Sequence, residues 1–452
     1  MASRYSCREG IDPSPLAEPL PFAFSGRTAP NRILKAAMTE RLASWSPTDK
    51  SARGIPGEEL CTLYRTWGAG GSGIIITGNI VVDHDHIEAP RNMIITMDTP
   101  PSGAHFQGFR KLAASAKEHG SLMIGQINHP GRQCVSSIQS NPVSASDVQL
   151  QYTMLGESFS KPHPASRDEI RAITDAFVHV AIFLDRAGWD GVQLHAAHGY
   201  LLAQFLSQTT NLRTDEYGGS LENRARLITE IADEIRAQTR PDFVLSIKIN
   251  SVEFQANGFS PEEAARLCEL LEAHGFDFVE LSGGTFEEMG VLHRRESTRA
   301  REAFFLEFAE KIVPHLTKTR AIVTGGLRSV GAMLDALQAV DGIGLGRPAC
   351  TEPFLAKDIL SGMVESCIKP LVDDNDFGVT SSIASVQMHM MAKGLPPLDP
   401  SDEDVVKLFK EGLAAWFKTR TGKTGPTLFD HLPIDRLAQS SSSGREVHVA
   451  QV

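Results

Sequence analysis

Short apolar runs alternate with longer amphipathic segments along most of this sequence. The runs are rich in Val, Ile and Leu, and several are bounded by glycine, which predicts strands that are buried on both faces. The segments between them carry apolar residues at helical spacing. The predicted strands are Ile33–Met38, Ile74–Ile76, Leu122–Asn128, Gly191–Leu194, Phe243–Ile249, Phe278–Leu281, Ala321–Val323 and Gly342–Leu345.

Start and stop signals place helices between these strands. Ser166 and Glu169 form a capping-box pattern, and Pro261 after Ser260 is a typical first helical position. The predicted helices are 57–67, 106–116, 166–187, 221–237, 260–274, 302–316 and 330–339. Eight alternating units of strand and helix predict an α/β fold, a (β/α)8 TIM barrel. The main alternative is a doubly wound open sheet, but no dinucleotide fingerprint follows the first strand.

The ends of the chain lack this alternation. Residues 1–30 are predicted to be an N-terminal lead-in with a short hairpin around Gly26, and residues 31–365 form the barrel. In the C-terminal extension, 366–452, we predict an irregular stretch over 366–400 and one amphipathic helix over 402–418 that packs on the barrel. A dimer contact is the alternative role for that helix. The serines at 440–443 predict a disordered end.

Composition narrows the class of protein. The chain has 452 residues, 41% of them hydrophobic, and a net charge of -11, which disfavours nucleic acid as a partner. Its six cysteines are scattered without a CxxC motif, so a reducing, cytoplasmic setting is favoured over a disulfide framework. No signal-peptide pattern or long apolar run predicts membrane insertion.

Polar residues follow the fourth strand, where barrel enzymes place their chemistry. His195, His198 and Tyr200 come within six residues of one another. Two imidazoles suit an oxygen that gains negative charge, and a phenol suits proton donation. By spacing alone the two histidines are also compatible with metal ligation or with plain structural hydrogen bonding. No carboxylate lies nearby in sequence, which disfavours a metal.

Glycines follow the seventh and eighth strands. Gly325, Gly326 and Gly346 would let backbone N–H groups approach an anion, and Arg347 adds a planar donor. Each pattern alone is compatible with an ordinary tight turn, but the two together favour a phosphate site.

Three further polar residues would meet the rest of such a ligand. Gln126 suits an amide-like edge, Lys248 suits a group that becomes anionic, and Thr39 offers a hydroxyl. A flat ring with these properties and a phosphate tail describes FMN, which the residues suggest without requiring it.

The sequence around the fourth strand resembles the old yellow enzyme family of NAD(P)H:flavin oxidoreductases, or ene-reductases. The resemblance lies in His195-Ala-Ala-His-Gly-Tyr-Leu-Leu-Ala-Gln-Phe-Leu-Ser and in Asn211-Leu-Arg-Thr-Asp-Glu-Tyr-Gly-Gly-Ser-Leu-Glu-Asn-Arg224. Asn31–Thr39, Gln126–Arg132 and Gly344–Arg347 add to it, so that it covers about residues 20–360. The pattern is most like fungal members of the bacterial-type branch, which carry His at position 198.

This resemblance implies an enzyme with non-covalent FMN that works by ping-pong hydride transfer through flavin N5. NADPH or NADH would be the hydride donor, and an α,β-unsaturated carbonyl compound the small-molecule substrate. His195 and His198 would hold the carbonyl oxygen, and Tyr200 would donate the proton. The residues implied for FMN are Ala37, Met38, Thr39, Gly78, Gln126, His195, Lys248, Gly325, Gly326, Gly346 and Arg347.

Some positions depart from the family pattern. Ala37 stands where Pro is frequent, Thr39 where many relatives have Cys, and Lys248 where Arg is commoner. None of these changes removes a predicted catalytic group. We expect the loops 133–165 and 286–300 to cover the substrate, and a homodimer is one expected assembly.

Three other functions remain open at this point. A dienoyl-CoA or amine dehydrogenase relative would need a cysteine-ligated cluster, which the scattered cysteines disfavour. A metal-dependent barrel hydrolase would use His84 and His86 with His195 and His198, although the first two lie in a polar segment typical of a solvated loop. A non-catalytic flavin-binding protein is disfavoured because the catalytic residues are intact.

Overall fold

The described part of the chain forms a closed parallel barrel surrounded by helices. The computed structural model describes residues 2–154, 156–251, 259–283, 306–374, 376–420, 431–434 and 437. Each of the eight barrel strands pairs with the next in sequence, and the eighth pairs with the first, so the barrel is closed. A ninth strand of two residues, Met93–Ile94, pairs with Ile80 and Val81. The predicted barrel is therefore confirmed, and the doubly wound alternative is wrong.

The strands lie where the apolar runs predicted them, with shifted ends. Their bounds are β1 Ile33–Lys35, β2 Ile74–Val81, β3 Leu122–Asn128, β4 Gly191–Ala196, β5 Val244–Asn250, β6 Phe278–Ser282, β7 Arg320–Thr324 and β8 Gly342–Leu345. β2 runs five residues beyond its prediction, because a register shift between Ile76 and Asn79 lets pairing with β3 continue past the apolar run. Two-residue strand pairs elsewhere are Leu20–Pro21 with Thr28–Ala29, and Val143–Ser144 with His163–Pro164.

Helices cover the outer face of the barrel. Their bounds are α1 Glu58–Ala69, α2 Gly103–Lys117, α3 Arg167–Arg186, α4 Leu201–Leu206, α5 Leu221–Gln238, α6 Pro261–Ala273, α7 Leu306–Ile312, α8 Val330–Ala336, α9 Arg347–Thr351, α10 Leu355–Leu360, α11 Phe377–Ala392 and α12 Glu403–Arg420. The Ser166–Glu169 capping box is present at the start of α3, as predicted. The first part of the predicted helix 302–316 lies outside the described residues. Among the described helices, none combines the length and apolar character that a bilayer crossing requires.

Alternation along the strands divides the interior of the barrel into two levels. Apolar residues near the starts of the strands, including Ile74, Leu122 and Phe278, form one buried cluster. The predicted hairpin adds Leu20 and Phe22 to this cluster, so the lead-in closes the amino-terminal end of the barrel. Polar side chains can therefore gather only at the other end.

The C-terminal extension contains two described helices, although one was predicted. The prediction of an irregular stretch over 366–400 is wrong, because α11 occupies Phe377–Ala392. α11 packs between the barrel and α12, so it buries residues on several of its sides. Its sequence therefore shows no polar stripe. The amphipathic helix predicted over 402–418 is present as α12. The predicted disordered end at 440–443 lies outside the described residues.

The extension has an apolar core of its own. Ile383 and Met390 of α11 pack with Val406 and Phe409 of α12 in one buried cluster. The domain boundary near 365 stays a prediction. Tyr5, in the lead-in, donates its backbone N–H to Cys367 and thereby joins the two ends of the chain.

Replacing Phe409 with Ala removes a fully buried ring from this core. We expect the free energy of unfolding of the extension to fall by about 3 to 5 kcal/mol, because transfer and cavity terms add. Hydrogen–deuterium exchange of the α12 amides measures the change. Phe417→Ala on the same helix is the matched control, since that residue is 47% exposed, and its effect should stay below about 1 kcal/mol. Similar effects of the two substitutions would contradict the described packing.

Candidate functional site

A chain of polar side chains crosses the upper interior of the barrel. The Gln126 amide donates to Gln193 Oε1 at 2.7 Å, and the Gln193 amide donates to Glu280 Oε2 at 2.9 Å. Lys248 Nζ donates to the other oxygen of Glu280 at 3.0 Å. The predicted residues Gln126 and Lys248 are therefore joined through Gln193 and Glu280, for which the sequence analysis assigned no role.

Strand register explains this chain. Lys248 lies opposite Glu280 on β6 and opposite His195 on β4, while Gln126 lies opposite Gln193. Residues paired across parallel strands point to the same face, which here is the barrel axis. The Glu280 carboxylate is fully buried, and the Lys248 ammonium and the Gln193 amide together satisfy it.

A sharp turn after β4 arranges the two histidines and the tyrosine. His198 has a φ of 58° and Gly199 a φ of 76°, both in the left-handed region. The backbone N–H of His198 donates to Asn250 Oδ1 at 3.1 Å, which ties the turn to the end of β5. Tyr200 is the N-cap residue directly before α4, and the centroid of its ring lies 4.6 Å from the centroid of the His195 ring.

The imidazoles are linked in one line. His195 Nδ1 lies 3.1 Å from Asn79 Oδ1, and His195 Nε2 lies 3.1 Å from His198 Nδ1. His198 Nε2 in turn lies 3.0 Å from Ser282 Oγ. The line runs from the end of β2 to the end of β6, across the mouth of the barrel.

Burial controls the charge of these three groups. It holds the pKa of His195 well below its usual value, with His198 and Lys248 adding to the effect. Burial and Lys248 lower the pKa of His198 to about 3. Burial, followed by the Glu88 carboxylate, raises the pKa of Tyr200 well above its usual value. At neutral pH the site therefore presents two neutral imidazoles and a protonated phenol.

Thr39 meets a carboxylate that the sequence did not single out. Its hydroxyl donates to Glu88 Oε1 and Oε2 at 3.1 and 3.2 Å, and the Asn79 amide donates to Glu88 as well. Burial raises the pKa of Glu88, while hydrogen bonds from Asn79 and Thr39 and the charge of Arg41 oppose that rise.

Met38 and Gly78 bring the ends of β1 and β2 together. The Gly78 N–H donates to Glu40 Oε1 at 2.8 Å. A Cβ at Gly78 would lie 2.2 Å from Glu40 Oε2 and 2.4 Å from the Met38 carbonyl oxygen, so only glycine fits. At Gly346 a Cβ would meet Met38 Sδ at 3.8 Å, which places the end of β8 beside Met38. Ala37 is half-buried against the interior cluster.

Gly325 and Gly326 form a tight turn after β7, here called the glycine corner, whose backbone conformation suits an anion site. Gly325 and Gly326 have φ values of 138° and 80°, which non-glycine residues rarely adopt. Just before them, the Thr324 hydroxyl is buried and has no hydrogen-bond partner among the described residues. Arg347 donates to Thr380 Oγ1 on α11, with Asp374 Oδ1 3.9 Å from its Nη1. The predicted phosphate arginine therefore also contacts the extension.

The structure thus brings His195, His198 and Tyr200 together, and it links Gln126 to Lys248. Asn79, Gln193, Glu280 and Glu88 are the residues that sequence reasoning left without a role. For Gln193 and Glu280 a signal existed, since each is a polar residue with the alternation of an inward-facing strand position. The predicted substrate loop 286–300 lies outside the described residues.

The histidines of the hydrolase alternative lie in different surroundings. Within the described ranges, one set of potential metal ligands has its atoms within 4.8 Å, and it consists of Asp83, His86 and His129. His86 accepts the N–H of Val143 at Nε2, so its Nδ1 proton faces Asp83. Neither His195 nor His198 belongs to this set.

Comparison with known proteins identifies the class and then the family. The closed barrel is shared with morphinone reductase in complex with tetrahydroNAD, at TM-score 0.63 and 24% identity over 78% of this chain and 93% of that one. It is also shared with the old yellow enzyme homologue from Zymomonas mobilis, at TM-score 0.64 and 23% identity over 78% and 94%. The chain therefore has the same barrel fold as these two proteins.

Residues 16–365 match the NADH:flavin oxidoreductase / NADH oxidase family, and the chain belongs to this family. The NADH-dependent flavin oxidoreductase nadA of Aspergillus parasiticus is 50% identical over 91% of this chain and 93% of its own length. The predicted resemblance is confirmed. The protein is an NAD(P)H flavin oxidoreductase that uses FMN and a nicotinamide cofactor, which leaves no support for the hydrolase alternative.

The residues present fit FMN. The buried Thr324 hydroxyl and the glycine corner offer donors beside a site that lacks side-chain bulk. The Lys248 ammonium offers a positive charge at the barrel axis. The residues around Thr324 thus supply hydrogen-bond donors for a phosphate. Lys248 supplies a cation for a flavin ring that becomes anionic.

The neutrality of His198 predicts how stability depends on pH. An unfolded imidazole takes up a proton below about pH 6.5, whereas folded His198 stays neutral down to about pH 3. Between these two pH values, unfolding is therefore accompanied by the uptake of a proton at His198. The contribution of neutral His198 to the free energy of unfolding is complete above about pH 6.5 and decreases as the pH falls.

His198→Asn removes this titrating group. In urea unfolding at a series of pH values, the free energy of unfolding of this variant should fall less steeply towards acid than that of the wild type. The difference in slope should correspond to at most about one proton per molecule. His315→Asn is the control, because the His315 side chain is 47% exposed, and it should keep the wild-type slope. An unchanged slope in His198→Asn would contradict a neutral folded His198.

Proposed function

We propose that this flavin oxidoreductase reduces the C=C bond of α,β-unsaturated carbonyl compounds. The observation that carries the proposal is the group formed by His195, His198 and Tyr200 at the barrel mouth. Two neutral imidazoles and a protonated phenol are what a conjugated carbonyl requires, since one end must be polarised and the other must receive a proton.

The imidazoles would bind the carbonyl oxygen. His195 Nε2 and His198 Nδ1 face each other, so an oxygen placed near both would contact the pair. An N–H donor withdraws electron density through the conjugated system and favours hydride addition at the β-carbon. Because the pKa values of both rings are low, the pair polarises the oxygen by hydrogen bonding rather than by full protonation.

Tyr200 would supply the proton. A hydride equivalent from NAD(P)H adds to the β-carbon, and the Tyr200 hydroxyl proton adds to the α-carbon, so the C=C bond gains two hydrogens. The tyrosinate left behind regains a proton from solvent. A hydrogen bond from Asn79 lowers the pKa of Tyr200 against the larger effect of burial, which assists this transfer.

The remaining predicted residues are proposed to hold FMN, which when bound supplies the hydride transfer between the two substrates. Gln126 would meet the amide-like edge of the ring, and Lys248 would balance negative charge at the ring. Gly325, Gly326, Gly346 and Arg347 would bind the phosphate, while Ala37, Met38, Thr39, Gly78 and His195 would line the ring. The polar chain from Gln126 to Lys248 supports this placement.

The deciding experiment uses the purified holoenzyme without oxygen. It should show the flavin band at about 450 nm, lose it with NADH or NADPH, and regain it with cyclohex-2-enone while cyclohexanone forms. Bleaching by NAD(P)H without recovery by the enone, but with recovery by oxygen, would reject ene-reduction in favour of a different electron acceptor.

Tyr200→Phe tests the proton donor. Re-oxidation by cyclohexenone should slow by about 10²- to 10⁴-fold, because a general acid is lost, while reduction by NAD(P)H keeps its rate. Stopped-flow absorbance separates the two half-reactions. Tyr217→Phe is the control, since that phenol bonds to Glu230 on α5 and lies outside the group at the mouth. Equal slowing of both half-reactions in Tyr200→Phe would reject the assigned role.

A further inference from the structure

A bulge in β2 decides which of its residues face the barrel interior. Ile76 belongs to the inner apolar cluster of the barrel. Strict alternation would therefore turn Gly78 and Ile80 inwards and Asn79 outwards. Instead, the register with β3 shifts between Ile76 and Asn79. Ile80 consequently packs in the core between the barrel and its helices, and Asn79 turns inwards, where its Oδ1 lies 3.1 Å from His195 Nδ1.

A buried lysine holds the first backbone group of this bulge. Lys35 Nζ donates to the carbonyl oxygen of Ile76 at 3.2 Å. Lys35 is 1% exposed, and its ammonium lies 3.8 Å from the centroid of the Trp67 ring on α1. An aromatic face attracts a desolvated cation, so α1 and the bulge together fix the position of this ammonium.

A buried carboxylate holds the second backbone group. The N–H of Gly78 donates to Glu40 Oε1 at 2.8 Å, and the Tyr64 hydroxyl donates to the same oxygen. Glu40 is 3% exposed, so its charge requires compensation. Burial lowers the pKa of Lys35 to about 8, while the charge of Glu40 opposes this shift. Lys35 is therefore mainly an ammonium at neutral pH and compensates the carboxylate.

We propose that Lys35 and Glu40 are positioning residues, which hold the β2 bulge from outside the barrel and thereby place Asn79 against His195. This inference rests on the proposed function, in which His195 binds the substrate oxygen. Both residues act through the backbone of β2, and Asn79 is the residue of this segment that meets His195.

The two charges matter for the reaction because the bulge has two backbone groups to hold. Without the ammonium, the carbonyl of Ile76 loses a donor, and the bulge can relax towards regular pairing. Asn79 then withdraws from the interior, and the His195 ring loses the hydrogen bond that orients it. The geometry of the barrel mouth therefore depends on two charges that lie outside it.

Lys35→Met tests the proposal, because it keeps the length of the side chain and removes both the charge and the donor. Re-oxidation of the reduced holoenzyme by cyclohexenone should slow by about 10- to 100-fold, as expected for a displaced substrate-binding group. Lys117→Met is the matched control and should keep the wild-type rate. Lys117 also joins a backbone carbonyl, that of Gly188, to a buried carboxylate, that of Asp190, but it does so before β4 begins.

Asn79→Ala shows whether Lys35 acts through the amide. This substitution removes the hydrogen bond to His195, so adding Lys35→Met to it should slow re-oxidation by less than about twofold further. A general loss of stability would instead slow the reaction by the same factor in both backgrounds.

Spectra of holoenzyme labelled with ¹⁵N-histidine provide a readout that does not depend on activity. The His195 ring signals should shift in Lys35→Met. They should not shift further when Lys35→Met is added to Asn79→Ala. A His195→Asn sample assigns these signals, and Lys117→Met should leave them at their wild-type positions.

Two kinetic outcomes would overturn the proposal: a wild-type rate of re-oxidation in Lys35→Met, and an equal slowing factor with and without Asn79. If Lys35→Met does not bind FMN, Glu40→Gln replaces it in the same cycle, since glutamine keeps an acceptor oxygen for the Gly78 N–H and removes only the charge. If the wild-type enzyme does not reduce the enone, the proposed function fails, and the His195 signals decide the positioning role. Unchanged signals in Lys35→Met would then reject it, and shifted signals would support it.

Discussion

The buried carboxylate of Glu280 is the constraint on which the upper half of the barrel depends. A carboxylate at the axis of a closed barrel is costly unless charge and hydrogen bonds compensate it. Strand register supplies both, since Lys248 lies directly opposite on β5 and Gln193 reaches it from β4. The Lys248 ammonium, which we propose balances the charge of a reduced flavin, is thereby held at the axis by the protein itself.

The same register separates the stabilising and the functional parts of the interior. Inward positions near the strand starts are apolar and are sealed by the lead-in hairpin through Leu20 and Phe22. Inward positions two to four residues later are polar, as with Ser246 and Lys248 above Val244. Packing at the lower level fixes the strand alignment, and this alignment sets the distances at the upper level.

Sequence alone predicted the barrel because its strands are continuous apolar runs with helical segments between them. It predicted His195, His198 and Tyr200 because a strand leads straight into them. It missed α11, whose buried residues lie on several sides and leave no period to detect. Glu88 was missed for a different reason, since a carboxylate in a loop acquires a partner such as Asn79 only when the chain has folded.

The missed helix also changes the view of the extension. Thr380 on α11 accepts from Arg347, which follows β8, and Ser385 on the same helix accepts from Arg41, which follows β1. His431 Nε2 also lies 2.7 Å from the backbone carbonyl oxygen of Arg41. Arg41 itself has a φ of 53°. Arg41 lies two residues from Thr39, and its charge opposes the rise that burial causes in the pKa of Glu88. The extension lies outside the segment that matches the family, yet it contacts Arg347 and Arg41, which lie beside residues proposed to bind FMN. Folding of the extension and the geometry of the site are therefore coupled, because neither arginine can move without breaking contacts to α11.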